Sequence, residues 1–317
     1  MSIEMQKSPL TDLLTENGLI VIDGGMGSEL EVRGCTLNDK LWSAKVLVEN
    51  PDLIYQVHLD YFRVGADLAI TSSYQASVDG FARRGIDKTQ ALALISKSVT
   101  LAKQARTDYL NEIKCSKKLL IAGSVGPYAT LLADGSEYRG DYQVSHTEYA
   151  AFHRPRVQAL VDADIDFLCF ETIPTISEVE SQLLLLAEFP TMTAYFSFSL
   201  RDSEHICDGT PLSTVVKMVN AQPQVVAIGV NCIALENVSA ALTTLKFLTD
   251  KPLLVYPNSG EKYDPVTKTW LSKTNTQSLV DYIDEWIALG AKMIGGCCRT
   301  GPQDIAQIAD KLKIESN

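Results

Sequence analysis

VVAIGVNC, residues 225–232, is an apolar run that closes on Asn231 and Cys232, and its form recurs along the chain. It lacks the apolar/polar alternation of a half-solvated strand, so it reads as a strand buried on both faces of a parallel sheet. Seven more runs share the form: LIVID (19–23), DLAITSSY (67–74), LLIAGSVG (119–126), DFLCFET (166–172), TAYFSFSL (193–200), PLLVYPN (252–258) and KMIGGCC (292–298). Helical patterns lie between them. DLIYQVHLDYFRVGA follows Pro51, a helix-start residue. TQALALISKSVTLAKQARTDYL is long and amphipathic. TISEVESQLLLLAEF carries Ser177 and, three residues on, Glu180, the spacing of a capping box. TQSLVDYIDEWIALG ends at Gly290, which suits a C-cap. Eight β–α units predict an α/β protein with one (β/α)8 TIM barrel domain over residues 1–317. A doubly wound sheet would show fewer strands and a dinucleotide fingerprint, whose spacing GGMGSEL lacks.

In such a barrel, polar residues at the C-terminal strand ends are the catalytic candidates. Here they are Asp23, Thr71 to Gln75, Ser124 to Tyr128, Glu171-Thr172, Asn231-Cys232, Asn258 and Cys297-Cys298. Two strand ends deliver three thiols, Cys232, Cys297 and Cys298. Three protein thiolates with a fourth position open suit a catalytic zinc site. Free cysteines also serve as small buried apolar residues. That reading suits a lone cysteine better than a vicinal pair preceded by Gly295-Gly296 at a strand end. Asp23 and Glu171 follow apolar runs, where a charge is costly unless paired, and either could accept hydrogen bonds from a ligand ammonium. Asp23 could instead hold the turn at Gly24-Gly25, glycines that let backbone N–H groups approach a ligand carboxylate. Asn231 could support the Cys232 thiolate or close its turn.

Composition narrows the function. Apolar residues make up 46% and charged residues 21%, which fits a folded chain with a large core. The net charge of −11 argues against a nucleic-acid partner. No apolar run is long enough for a membrane span, and the start lacks the pattern of a secretory signal. Seven cysteines without a scaffold rhythm suggest a reducing cytoplasm. None of the four histidines ends a strand, so a His-based zinc hydrolase is disfavoured. Cys35, Cys115, Cys169 and Cys207 have no partner at metal spacing, and Cys169 lies within a core strand. The long segment 128–146 follows the third strand and reads as a lid or donor-binding loop, with a mobile surface loop as the alternative. Other barrel enzymes, such as a zinc lyase or hydrolase, and a noncatalytic metal-binding or thiol-sensing protein are the competing classes.

At these residues the chain resembles the homocysteine S-methyltransferase family. The matching segments are DGGMGSEL (23–30), TSSYQAS (71–77), SVGPY (124–128), FET (170–172), GVNC (229–232), YPNSGE (256–261) and GGCCRT (295–300). YPNSGE and the length look most like the S-methylmethionine-type members; no cobalamin or folate module and no C-terminal oligomerisation extension is visible. The resemblance implies Zn²⁺ bound by Cys232, Cys297 and Cys298. It implies that Asp23 and Glu171 hold the amino group of homocysteine, with Gly24 and Gly25 receiving its carboxylate. The implied reaction is methyl transfer from a sulfonium, S-methylmethionine or S-adenosylmethionine, to the homocysteine thiolate, giving methionine. The implied partners are small molecules, and a monomer is favoured. Tyr74, Tyr128 and the 128–146 loop lie at the barrel end expected to meet the donor.

Overall fold

Eight parallel strands form one sheet that curls nearly to closure: β1 (Ile20–Val21), β2 (Leu68–Ile70), β3 (Leu120–Val125), β4 (Phe167–Ile173), β5 (Ala194–Phe198), β6 (Val225–Asn231), β7 (Leu253–Tyr256) and β8 (Ala291–Ile294). The computed structural model describes residues 6–37, 41, 43–260, 262–264, 269–271 and 277–315. Each strand pairs with its sequence neighbour, and β8 returns to pair with β1. The last seam, between β1 and β2, is a single bridge from Ile22 to Leu68. Backbone bonds from Asp23 N–H to the Leu68 carbonyl (3.0 Å) and from Asp67 N–H to the Val21 carbonyl (2.8 Å) support it. The architecture is the expected TIM barrel.

A principal helix follows every strand, including Pro51–Arg63, Lys88–Ile113, His146–Asp162 and Pro302–Glu315. Successive strand side chains point to opposite faces, so alternate residues divide between two cores. Leu168, Phe170, Ile228 and Val230 face the helices. Phe167, Cys169, Tyr195, Ala227, Leu254 and Met293 fill the barrel interior. Leu10 and Leu13 of the helix Pro9–Asn17 join that interior cluster. Gly229 is obligatory in β6, because a Cβ there would collide with the Leu254 carbonyl oxygen of β7.

Two local expectations change. Ser177 is not a cap: the helix Ile176–Ala187 starts after Thr175, and its first N–H bonds Asp208 Oδ2 at 2.7 Å. A partner from a distant loop thus does the capping. The segment 128–146 is not all loop, since it holds the helical turns Ala129–Leu132 and Ser136–Tyr138. Pro51 does start its helix, and Gly290 follows the helix Ile283–Ala288 with φ 105°. Glu261 of YPNSGE lies outside the described residues. Among the described residues, no helix is long and apolar enough to cross a membrane.

Candidate active site

The inward face of the barrel turns polar toward its C-terminal end. Continuing the two-residue alternation from Cys169, Leu254 and Tyr195 brings Glu171, Tyr256 and Ser197 to the top layer. They form one chain of hydrogen bonds. Ser124 Oγ donates to Glu171 Oε1, and the Tyr256 hydroxyl donates to Glu171 Oε2 at 3.1 Å. Ser197 Oγ lies 2.7 Å from the Tyr256 hydroxyl and donates to Asn231 Oδ1 at 2.8 Å. Burial pushes the Glu171 carboxyl up to about 6, partly offset by its hydroxyl donors. Asp23 enters from the end of β1, where its Oδ2 accepts the Ile70 N–H at 2.9 Å. Burial raises its pKa well above the ordinary value, and the Glu171 charge raises it further. Two buried carboxyls therefore share this mouth of the barrel.

Asn231 resolves to a backbone brace rather than a thiolate partner. Its Oδ1 accepts the Thr172 N–H at 2.8 Å, and its Nδ2 donates to Thr172 Oγ1 at 2.7 Å. Thr172 and Cys232 both take left-handed backbone conformations, with φ of 60° and 52°. Such geometry is costly for a β-branched residue and persists only where neighbours fix it.

The thiols converge at the same mouth. The sulfurs of Cys232, Cys297 and Cys298 lie within 4.8 Å of one another, the only such donor group among the described residues. Cys232 and Cys297 are joined as a disulfide across a Cα–Cα distance of 5.5 Å, leaving Cys298 free. Three thiols are therefore presented only by the reduced chain. Burial and the nearby Glu137 charge push the Cys298 thiol up to about 12. Asn258 ties the two thiol-bearing loops together. Its Nδ2 donates to the Cys232 carbonyl and its Oδ1 accepts the Cys298 N–H, each at 3.2 Å.

Of the two glycines after Asp23, Gly25 already spends its N–H on the Thr300 carbonyl at 3.0 Å. A Cβ on Gly25 would also collide with the Cys297 carbonyl, so this residue fixes the approach of β1 to the thiol loop. Tyr128 packs among Tyr142, Tyr149 and Phe152 at the base of the loop.

Comparison with known proteins fits this geometry. The family model "Homocysteine S-methyltransferase" matches residues 20–312. The chain belongs to the homocysteine S-methyltransferase family. The Escherichia coli (strain K12) homocysteine S-methyltransferase is 58% identical over 304 residues, covering 96% of this chain and 98% of that protein. The metallated crystal form of the homocysteine methyltransferase MmuM from Escherichia coli superposes with a TM-score of 0.88 at 55% identity, covering 96% of this chain and 99% of that one. Its oxidized form superposes equally well, with a TM-score of 0.88 at 55% identity over 96% of this chain and all of that one.

This family member also holds a buried network that sequence reasoning missed. Arg156 is fully buried, and its guanidinium bonds the Tyr74 and Gly126 carbonyls, each at 2.7 Å. It also donates to His153 Nδ1 at 3.0 Å, so His153 is neutral and donates from Nε2 to Glu178 Oε1 at 2.7 Å. Glu178 in turn accepts the Tyr128 N–H (2.6 Å) and the Tyr142 hydroxyl (2.6 Å). The network pins the loops after β2 and β3 beside the site.

Proposed function

We propose that the chain transfers a methyl group from a sulfonium donor of the S-methylmethionine type to the sulfur of L-homocysteine, giving methionine. S-adenosylmethionine shares the sulfonium and is the second donor. Zn²⁺ would be held by Cys232, Cys297 and Cys298. The observation that carries the reading is the convergence of three thiols on one barrel mouth that also holds the buried carboxyls of Asp23 and Glu171.

The donor set suits the metal. Thiolates select zinc over hard cations, and three of them leave one tetrahedral position. Bound there, zinc would favour the deprotonated form of a thiol that enters that position. Asp23 and Glu171 would accept the homocysteine ammonium, which returns both carboxyls to the ionised state that burial disfavours. The unengaged N–H of Gly24 would meet the amino-acid carboxylate. These contacts orient the acceptor with its sulfur toward the thiol corner. The homocysteine thiolate then attacks the donor methyl carbon. The carbon–sulfur bond of the donor breaks, and its electron pair stays on the leaving sulfur as a thioether. No general acid is required, consistent with no histidine ending a barrel strand. With S-methylmethionine, both products are methionine.

The same reading gives a cytoplasmic monomer acting on small molecules. The thiols need a reducing compartment, and a net charge of −11 disfavours polyanions. The test is the reduced, zinc-loaded protein with homocysteine and S-methylmethionine, read by methionine formation. No methionine from a zinc-replete sample would overturn the reading.

A further inference from the structure

Arg156 is fully buried on the helix His146–Asp162, and among the described residues no carboxylate bonds it directly. We propose that Arg156 is a positioning residue for homocysteine: its guanidinium clamps the loop after β2 to the loop after β3, and the clamp holds Glu171 in place for the ammonium. This inference rests on the methyl-transfer reading above.

The two ends of the guanidinium fork take different loops. Nη1 donates to the Tyr74 carbonyl and Nη2 to the Gly126 carbonyl, each at 2.7 Å. The loops meet so closely that a Cβ on Gly126 would lie 2.5 Å from that same Tyr74 carbonyl oxygen. Two buried hydroxyls join the same segments. Ser73 Oγ donates to the Ser124 carbonyl at 2.8 Å, and Thr71 Oγ1 accepts the Ser124 N–H at 2.9 Å. Those two hydroxyls are themselves 2.8 Å apart. Ser124, held at both its N–H and its carbonyl, donates its own hydroxyl to Glu171 Oε1. A path of covalent and hydrogen bonds therefore runs from the fork through both loops to the carboxyl.

A buried cation without a direct carboxylate is costly, so bridging two carbonyls does not by itself account for an arginine. Glu178 reaches it only through the neutral ring of His153, and Arg156 Nε has no hydrogen-bond partner. Burial lowers the Arg156 pKa only to about 10, so the charge persists at neutral pH. That charge favours the ionised form of Glu171, the form an ammonium needs. Fork and charge thus serve the same carboxyl. A lysine would keep the charge, but its single ammonium lacks the planar fork that spans two carbonyls.

The test uses the zinc-loaded full chain with donor saturating and homocysteine varied. Arg156→Lys should raise the homocysteine KM about tenfold, with the donor KM and zinc stoichiometry unchanged. In the Glu171→Gln background the same substitution should cost less than about twofold, because the residue acts through that carboxyl. Ser73→Ala cuts the bond between the loops and leaves the guanidinium in place. It should show the same pattern more weakly, and it carries the test alone should Arg156→Lys not fold. An unchanged homocysteine KM in the folded variants, or an equal cost in both backgrounds, overturns the proposal. A fall in kcat with both KM values unchanged also overturns it, since that is the mark of a generally loosened barrel. Failure of the wild-type protein to form methionine would instead refute the reading on which the proposal rests.

Discussion

Glu171→Gln should make the protein more stable and less active, and the magnitude follows from the site. The carboxyl is buried inside the barrel with a pKa pushed up to about 6, against an ordinary 4.5. The folded state therefore holds this proton more tightly than the unfolded chain. The stability it contributes is fully present below pH 4.5 and is lost as pH rises through 6. Between those limits the loss is about 2 kcal/mol. Glutamine carries no charge, and the hydroxyls of Ser124 and Tyr256 can turn to serve its amide. At pH 8 the variant should melt roughly 3–5 °C above the wild type, and at pH 4.5 the gap should close. With homocysteine the order reverses. Loss of the charged partner for the ammonium should cost about 1–3 kcal/mol in kcat/KM for homocysteine, with zinc content unchanged. Melting curves at both pH values, with metal and reductant held constant, supply the first arm; steady-state kinetics supply the second. A variant destabilised equally at both pH values, or one with wild-type kcat/KM for homocysteine, would show that Glu171 is a packing residue.

Oxidation and metal loading should exclude each other, because Cys232 and Cys297 are joined by a disulfide. Protein prepared without reductant should yield a linked Cys232–Cys297 peptide by mass spectrometry and bind no zinc until reduced; stoichiometric zinc on the disulfide form would contradict this. Replacing Cys232, Cys297 or Cys298 with Ser should remove zinc and activity while leaving the barrel's far-ultraviolet circular dichroism intact. Full zinc in all three variants would end the assignment. Asn258→Ala should weaken zinc binding about 10–100-fold, because its amide joins the backbones of Cys232 and Cys298. Chelator competition that leaves the affinity unchanged would reduce Asn258 to a loop spacer.

All eight strands were legible because a parallel barrel strand is buried on both faces and must be apolar nearly throughout. Their ends were less so. DLAITSSY reads as strand to residue 74, but β2 stops at Ile70. The polar residues beyond it turn away, and Thr71 Oγ1 accepts the Ser124 N–H at 2.9 Å. That partner is 53 residues distant, so no local pattern announces it. The helix His146–Asp162 was obscured for a related reason. It contains Pro155 and buries His153 and Arg156, so its inward face is not apolar. The polar network it carries is set by tertiary partners on three separate segments.

The site shows the same division between what spacing fixes and what only the fold can assemble. Glu171 could be found because it breaks an apolar run at a strand end, where a charge needs a reason. Asn231 breaks its run in the same way, yet its amide braces the Thr172 backbone instead of meeting substrate. Both are buried polar residues one step from the mouth, and residue type alone does not separate them. Hydrogen-bond accounting does. Asn231 spends its donor and acceptor on the strained turn and on Ser197, so it has little left for a ligand. Glu171 receives only neutral hydroxyl and thiol donors. None of those donors carries a charge, and the buried Arg156 that eases its ionisation is itself bonded to the Tyr74 and Gly126 carbonyls, so the ammonium of the proposed function would be the first cation to bond Glu171 directly.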